Sequence, residues 1–298
     1  MMFALPACLL LGGCPDGGSS KRGNSRVEVL LTGLEDPWGI AFQPSGDLII
    51  VTYSGTGSLV RQVKDLGLPT QTITMDGRVF TPSCVAVCSN GNFVPPCDMP
   101  NVTDLFDGVD ITATFIDRNT PADALVEDPT GICASGTDTD PWYLVQSSTG
   151  DLVELLFNNL GDQTDNTVST IAPGIITRIP EAPTHLAYLA GTVYAVDTGG
   201  DRLLAIDPGT GATTVLAGSA AGLDRPAALA VTTGGSLLVG NFGNGKLLEF
   251  STFGVLIRTI ETGVGANRLR AIAVDSSGEI YLAYATFATP DGRVARLK

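Results

Sequence analysis

Short apolar runs, separated by turns bearing Gly, Asn, Asp and Ser, recur along almost the whole chain. In "PTHLAYLAGTVYAVDTGGDRLLAID", from Pro183 to Asp207, such runs alternate with small or polar residues. Apolar runs of this length with tight turns between them predict strands joined as hairpins. The same unit recurs elsewhere: a proline, then an aliphatic residue three positions on, then a small residue. It reads "PWGIAF" at Pro37, "PSCVAV" at Pro82, "PTGICA" at Pro129, "PTHLAY" at Pro183 and "PAALAV" at Pro226. A sixth copy, "LRAIAV" at Leu269, lacks the proline. Second runs follow, such as "PSGDLIIV" and "TGGSLLVG", then third runs such as "GGDRLLAID" and "GNGKLLEF", and in several copies a weaker fourth, such as "TTVLA".

The copies begin roughly 43 to 54 residues apart. A period near 40 to 50 residues with about four strands per copy is the signature of a β-propeller, in which thin sheets shield one another around an axis. The pattern therefore predicts an all-β fold: a six-bladed β-propeller of four-stranded antiparallel blades over residues 26–298. The sixth copy ends at Arg296 after its third strand, and "SRVEVLLTG", near Arg26–Thr32, is a strand pattern with no partner of its own. It is expected to pair with the last blade, closing the ring and removing an exposed edge.

Composition agrees with strands. Among 298 residues, 36 Gly and 18 Pro disfavour helices, and a hydrophobic share of 44% supports a sizeable core. The net charge of −14 argues against a phosphate-backbone binder, so nucleic acid is not an expected partner. The first residues stand apart. "MMFALPACLLLGGC" is an apolar run too short to span a bilayer, and Leu11-Gly12-Gly13-Cys14 resembles a bacterial lipobox. It implies a signal peptide over 1–13, lipidation of Cys14, and export to a periplasmic or cell-surface site held only by a lipid anchor. The run carries no Lys or Arg, unlike the usual signal peptide; "LPAC" at Cys8 is a second candidate, and a cleaved signal without lipid is the alternative. Residues 14–25, rich in Gly and Ser, form a flexible tether.

The copies resemble NHL repeats. "VYAVDTGGDRLLAID" follows their pattern of an apolar strand, Asp-Thr-Gly, a short polar loop, Arg and another strand; "DPWGIAFQPSGDLIIV" and "RAIAVDSSGEIYLA" fit the same template. The resemblance covers nearly all of the chain after Arg26 and implies the propeller. It does not fix a function, because this architecture serves binding proteins, lyases and lactonases alike. Only the fourth copy carries the Asp197…Arg202 pair, which assigns Asp197 a structural role in its own loop.

Outside the export segment lie Cys84, Cys88, Cys97 and Cys133, an even number that suggests two disulfides in an exported chain. A two-residue Asn90-Gly91 turn would set Cys84 opposite Cys97, leaving Cys88 and Cys133 for a bridge between neighbouring blades. Pro95-Pro96 is placed to shift that register. "DMPNVTDLFDG" then reads as an insertion before the strand "VDITATFID".

Counting antiparallel strands puts the starts of the first strands and the loops between second and third strands on one face. The first set supplies Trp38, Ser83, Thr130, Thr184, His185 and Arg270; the second supplies Thr52, Gln146, Asp197, Asn241 and Tyr284. Polar and aromatic groups converging there make a candidate ligand site, with Trp38, His185, Asp197, Asn241, Arg270 and Tyr284 as its core. Metal-dependent propeller lactonases need an acidic residue at the first strand start, where this chain has Trp38-Gly39. Propeller lyases that use several histidines cannot be built from a chain with one. No Gly-x-Ser-x-Gly elbow, phosphate loop or calcium-ligand spacing is found. No catalytic residue, metal or cofactor is therefore assigned. The expectation is a tethered binding or scaffold protein whose propeller face or copy-two insertion holds a protein, small-molecule or glycan partner. The alternative is a hydrolase or lyase acting at the channel mouth.

Overall fold

The computed structural model describes residues 26–54, 57–63, 71–73, 85–87, 93–94, 102–107, 110–116, 129–137, 140–146, 148–156, 167–177, 179, 184–285 and 291–298. They form antiparallel sheets with no α-helix among them. Strand β1 (Val27–Leu34) precedes the repeats. The first sheet holds β2 (Asp36–Phe42), β3 (Leu48–Ser54), β4 (Gly57–Val63) and β5 (Gln71–Ile73). The second holds β6 (Ala86–Val87), β7 (Phe93–Val94), β8 (Val102–Asp107) and β9 (Asp110–Ile116). The third holds β10 (Pro129–Ala134), β11 (Trp142–Gln146), β12 (Leu152–Leu156) and β13 (Thr167–Ala172). The fourth holds β14 (Leu186–Leu189), β15 (Thr192–Asp197), β16 (Arg202–Ile206) and β17 (Thr213–Ala217). The fifth holds β18 (Pro226–Val231), β19 (Leu237–Asn241), β20 (Lys246–Phe250) and β21 (Leu256–Glu261). The sixth places β22 (Leu269–Val274), β23 (Ile280–Tyr284) and β24 (Gly292–Leu297) beside β1, in the order β1-β24-β23-β22.

The sheets stack face to face. Cys133, Val145 and Leu152 of the third meet Leu186, Leu204 and Ile206 of the fourth. Val196 and Leu203 of the fourth meet Leu229, Val239 and Phe250 of the fifth, and Leu238 and Leu247 of the fifth meet Ile272 and Leu282 of the sixth. The sixth in turn packs on the first, Ala273, Tyr281 and Val294 against Ile40, Leu48 and Ile50. Each fully buried aliphatic side chain contributes about 1.5–3 kcal/mol relative to exposure, so this stacking is the main source of stability. Burial falls outward in the third to sixth sheets. β19 and β11 are buried throughout, whereas β17 and β21 are mostly exposed. That gradient explains the sequence: second strands sandwiched on both faces read as unbroken apolar runs such as "WYLV", and outer strands read as mixed.

β1 pairs antiparallel with β24, Val27 opposite Leu297 and Leu34 opposite Gly292, with two irregularities between. Lys298 N–H donates to the Arg26 carbonyl (2.8 Å) beyond the ladder. The second sheet departs from two expectations. "DMPNVTDLFDG" is not an inserted loop: Val102–Asp107 is β8, paired with β9 from Val102 opposite Ile116 to Asp107 opposite Asp110. Its apolar residues, Val102, Leu105 and Phe106, do not alternate with polar ones, and the ladder is irregular between Leu105 and Phe106, so the period-2 signal of a strand is missing. The register of β6 with β7 is also different. Ala86 faces Val94 and Val87 faces Phe93, which is one residue away from what a two-residue Asn90-Gly91 turn imposes. Such a register requires an odd number of residues between the strands. The arithmetic that set Cys84 opposite Cys97 therefore fails. Cys84, Cys88 and Cys97 themselves lie outside the described residues, and Cys133 is buried in β10.

Candidate functional site

Four sheets begin in the same way. Pro37 faces Thr52, but Gly39 faces Val51, so Trp38 is an extra residue bulged out of the ladder. The same one-residue bulge follows Pro129 opposite Gln146, Pro226 opposite Asn241 and Leu269 opposite Tyr284. It makes Thr130, Ala227 and Arg270 the counterparts of Trp38. A bulge re-aims the side chain it carries and ends pairing, which suits a strand start at a rim. In the fourth sheet Val196 N–H donates to the His185 carbonyl (3.2 Å), so Thr184 holds the bulge position and His185 the place filled by Gly39 or Ala271 elsewhere.

Of the residues expected at this end, direct contacts join Trp38 to His185 and to Arg270, and most of the polar ones are buried. Thr52, Gln146, Thr184, His185, Asp197, Asn241 and Arg270 are all buried, and they make up most of the buried polar side chains among the described residues. Tyr284 is buried too. Ser83 lies outside the described residues, and only the backbone of Thr130 is described.

Most of these groups bind one another or the backbone. Arg270, 0% exposed, donates from Nε to Asp36 Oδ1 (3.0 Å) and from Nη2 to Asp36 Oδ2 (3.2 Å). Its guanidinium lies over the rings of Phe242 (4.9 Å) and Trp38 (5.8 Å). Trp38 Nε1 donates to Asp36 Oδ2 (2.7 Å), so one carboxylate orients both partners. His185 Nε2 donates to the Trp38 carbonyl (3.2 Å), joining the fourth sheet to the first. That contact fixes the tautomer, with the proton on Nε2. Asp197 accepts from Thr177 N–H (2.6 Å) and from Arg202 Nε (2.7 Å), clamping the segment that leads into its sheet. Asn241 does the same in the fifth sheet, accepting from Asp224 N–H (3.2 Å) and donating to the Gly222 carbonyl (2.8 Å). Thr184 Oγ1 is the exception, a buried hydroxyl with no hydrogen-bond partner.

Above this layer sits one that the sequence reading missed. Arg225 precedes Pro226 and has φ of 45°, a left-handed conformation that costs a non-glycine residue about 1–3 kcal/mol. Two neighbours hold it there. Arg225 N–H donates to Asp201 Oδ1 (2.6 Å), and its Nη2 donates to Asn267 Oδ1 (2.5 Å). Asp201 and Asn267 are themselves left-handed, at 52° and 62°. The Arg225 guanidinium lies over Phe242 (5.1 Å) on a side chain that is 40% exposed, and Trp38 is half-buried. Three of the four non-glycine residues with positive φ among the described residues thus form one bonded cluster at this end. A signal was present: in "DPWG" and "RPAA" a charged residue precedes the repeat proline, at Asp36 and Arg225.

Chemically, the end offers a half-buried indole and partly exposed guanidinium groups at Arg202 and Arg225, over a base of internally bonded polar groups. Among the described residues no three His, Cys, Asp or Glu side chains are grouped so as to hold a metal ion.

No family model and no curated protein sequence matches the chain. Its backbone is similar to many solved structures. A structural-genomics protein of unknown function from Bacteroides thetaiotaomicron superposes with a TM-score of 0.68 at 14% identity, over 92% of this chain and 73% of that one. Regucalcin, a calcium-binding protein from Agrobacterium tumefaciens, gives 0.63 at 16% identity, over 90% and 92%. Streptogramin B lyase gives 0.62 at 12% identity, over 91% and 96%. At such identities the likeness is one of fold, and together with the stacked four-stranded antiparallel sheets it shows that the chain folds as a β-propeller.

Proposed function

We propose that the chain is a six-bladed, NHL-like propeller, closed by the pairing of β1 with β24, and that it is a binding or scaffold protein. It is exported to the periplasm or cell surface and tethered by lipid on Cys14. Among the described residues no helix is long and apolar enough to cross a membrane. Two disulfides among Cys84, Cys88, Cys97 and Cys133 belong to the same reading, and non-reducing peptide mapping checks them.

The partner meets the layer of Trp38, Arg202, Arg225 and Asn267, while His185, Asp197, Asn241, Arg270 and Tyr284 hold that layer in position. The observation that carries this reading is Arg225, kept in a strained backbone conformation by Asp201 and Asn267 with its guanidinium still partly exposed. Strain that neighbours over-determine at a rim is characteristic of ligand contacts. An indole face beside guanidinium donors suits a polar partner with a flat apolar surface and hydrogen-bond acceptors, such as a glycan or a protein segment. Titration calorimetry with cell-wall glycan fragments and peptides tests it. Arg225→Ala and Trp38→Ala should each weaken binding tenfold or more, with the ligand recovered unchanged. Equal affinity in both variants would refute the assignment.

A second reading, a hydrolase or lyase, draws on the unpartnered buried hydroxyl of Thr184 next to His185. Turnover of a lactone, ester or streptogramin-type substrate, abolished by His185→Ala and Thr184→Val, would favour it.

A further inference from the structure

Large apolar side chains are exposed in one run at the outer rim of the fifth sheet. Phe253 is 86% exposed, Val255 65% and Ile257 55%, with Leu256 beside them at the start of β21. The turn is built, not loose. Ser251 N–H donates to the Val255 carbonyl (2.9 Å) and Gly254 N–H to the Ser251 carbonyl (3.0 Å). Gly254, at φ 80°, lies so close to the neighbouring sheet that a Cβ there would collide with the Leu216 carbonyl oxygen. The apolar tip is therefore held outward on a rigid support. Contiguous exposed apolar surface of this kind on a soluble fold marks a contact site.

The N-terminus indicates what the tip contacts. Arg26, the first described residue, donates from Nη1 to the carbonyl of Glu261 (3.3 Å), at the far end of β21 from the tip. The segment carrying Cys14 thus joins the fold at the same strand. The residues from Cys14 to Arg26 span at most roughly 40 Å when extended, and β21 is only about 17–20 Å long. A bilayer holding a lipidated Cys14 is within reach of Phe253. Arg258, nearer the patch, is paired to Glu249, and Lys246, opposite the far end of β21, is paired to Glu261. They leave no unpaired carboxylate on β21 to oppose a lipid surface.

We propose that the Phe253–Ile257 tip is a membrane-contact element that inserts into the interfacial region of the bilayer and sets the propeller's orientation on it. This rests on the lipid-anchor reading. A tether supplies an effective concentration on the order of millimolar, so even weak insertion orients the domain. Interfacial binding scales with the apolar area buried and needs no spanning helix, and a single lipid chain holds only marginally without a second signal such as this tip.

The test uses the full chain with Phe253→Trp, reconstituted through its own lipid into phosphatidylcholine vesicles with or without brominated acyl chains. Emission from the introduced indole should shift to the blue on reconstitution, and brominated lipid should quench it at least about twofold. Ser148→Trp, on an exposed turn of the third sheet, should do neither. Labelled palmitate incorporation lost in Cys14→Ser reports the anchor separately. If labelling is absent, the unlipidated Phe253→Trp chain is mixed with the same vesicles, where a blue shift supports the tip on its own. Labelling with no quenching of the Phe253→Trp variant overturns the tip while leaving the anchor intact. Dimers on gel filtration that Phe253→Ser/Ile257→Ser dissolves would also overturn it, assigning the tip to a second copy.

Discussion

Replacing Arg270 by Met keeps most of the side-chain volume and removes one charge from a fully buried position. The loss follows from its partners. Asp36 receives two hydrogen bonds from the guanidinium, at 3.0 and 3.2 Å, and would keep only the one from Trp38 Nε1. Breaking a buried ion pair from one side costs about 3–5 kcal/mol, because the remaining charge is left without its partner. The Asp36 side chain is 21% exposed, so water compensates in part and places the cost near the lower limit, about 3 kcal/mol. The stacking over Phe242 and Trp38 is largely retained as apolar contact by Met. For a domain of this size each kcal/mol shifts Tm by about 2–4 °C, which gives a fall of roughly 6–12 °C by calorimetry. Asp36→Asn in the same background should restore part of that loss, since no unpaired charge then remains. A fall under about 2 °C for Arg270→Met, or a double variant no better than the sum of the singles, would refute the assignment of Arg270 as the support of the rim.

Two further outcomes follow from other sites. Gly245 sits at φ 74° in the turn after β19, where a Cβ would collide with the Val264 carbonyl oxygen, so Gly245→Ala should destabilise by more than about 2 kcal/mol in urea melts. The Tyr281 phenol is pushed up to about 12 by burial and by the neighbouring Asp275 and Glu279. A phenol raised in the folded state gives stability that is complete below about pH 10, where the unfolded chain begins to ionise, and is lost as pH rises towards about 12. Tyr281→Phe should flatten that alkaline limb in a pH series of melts.

The repeat was legible because it is written in backbone chemistry. Prolines at strand starts and turn glycines locate the strands, and the aligned second-strand ends, Thr52, Gln146, Asn241 and Tyr284, are the residues found opposite Pro37, Pro129, Pro226 and Leu269. Side-chain direction at the bulges was not legible. A bulge adds one residue without changing the hydrophobic pattern, so His185 and Thr184 could not be told apart as counterparts of Trp38. Asp36, Phe242 and Arg225 were missed for a related reason: their roles arise from contacts between different sheets, far apart in the chain. The second sheet was misread where one residue of loop length reverses the face of every side chain.

In the proposed function the pairing of β1 with β24 closes the ring, and hydrogen exchange of the β1 amides tests that proposal directly. With β1 fully paired to β24, the hydrogen-bonded amides of the two strands should exchange together, at rates close to global unfolding. Exchange of β1 within seconds while β24 stays protected would show a ring left open and contradict the proposal.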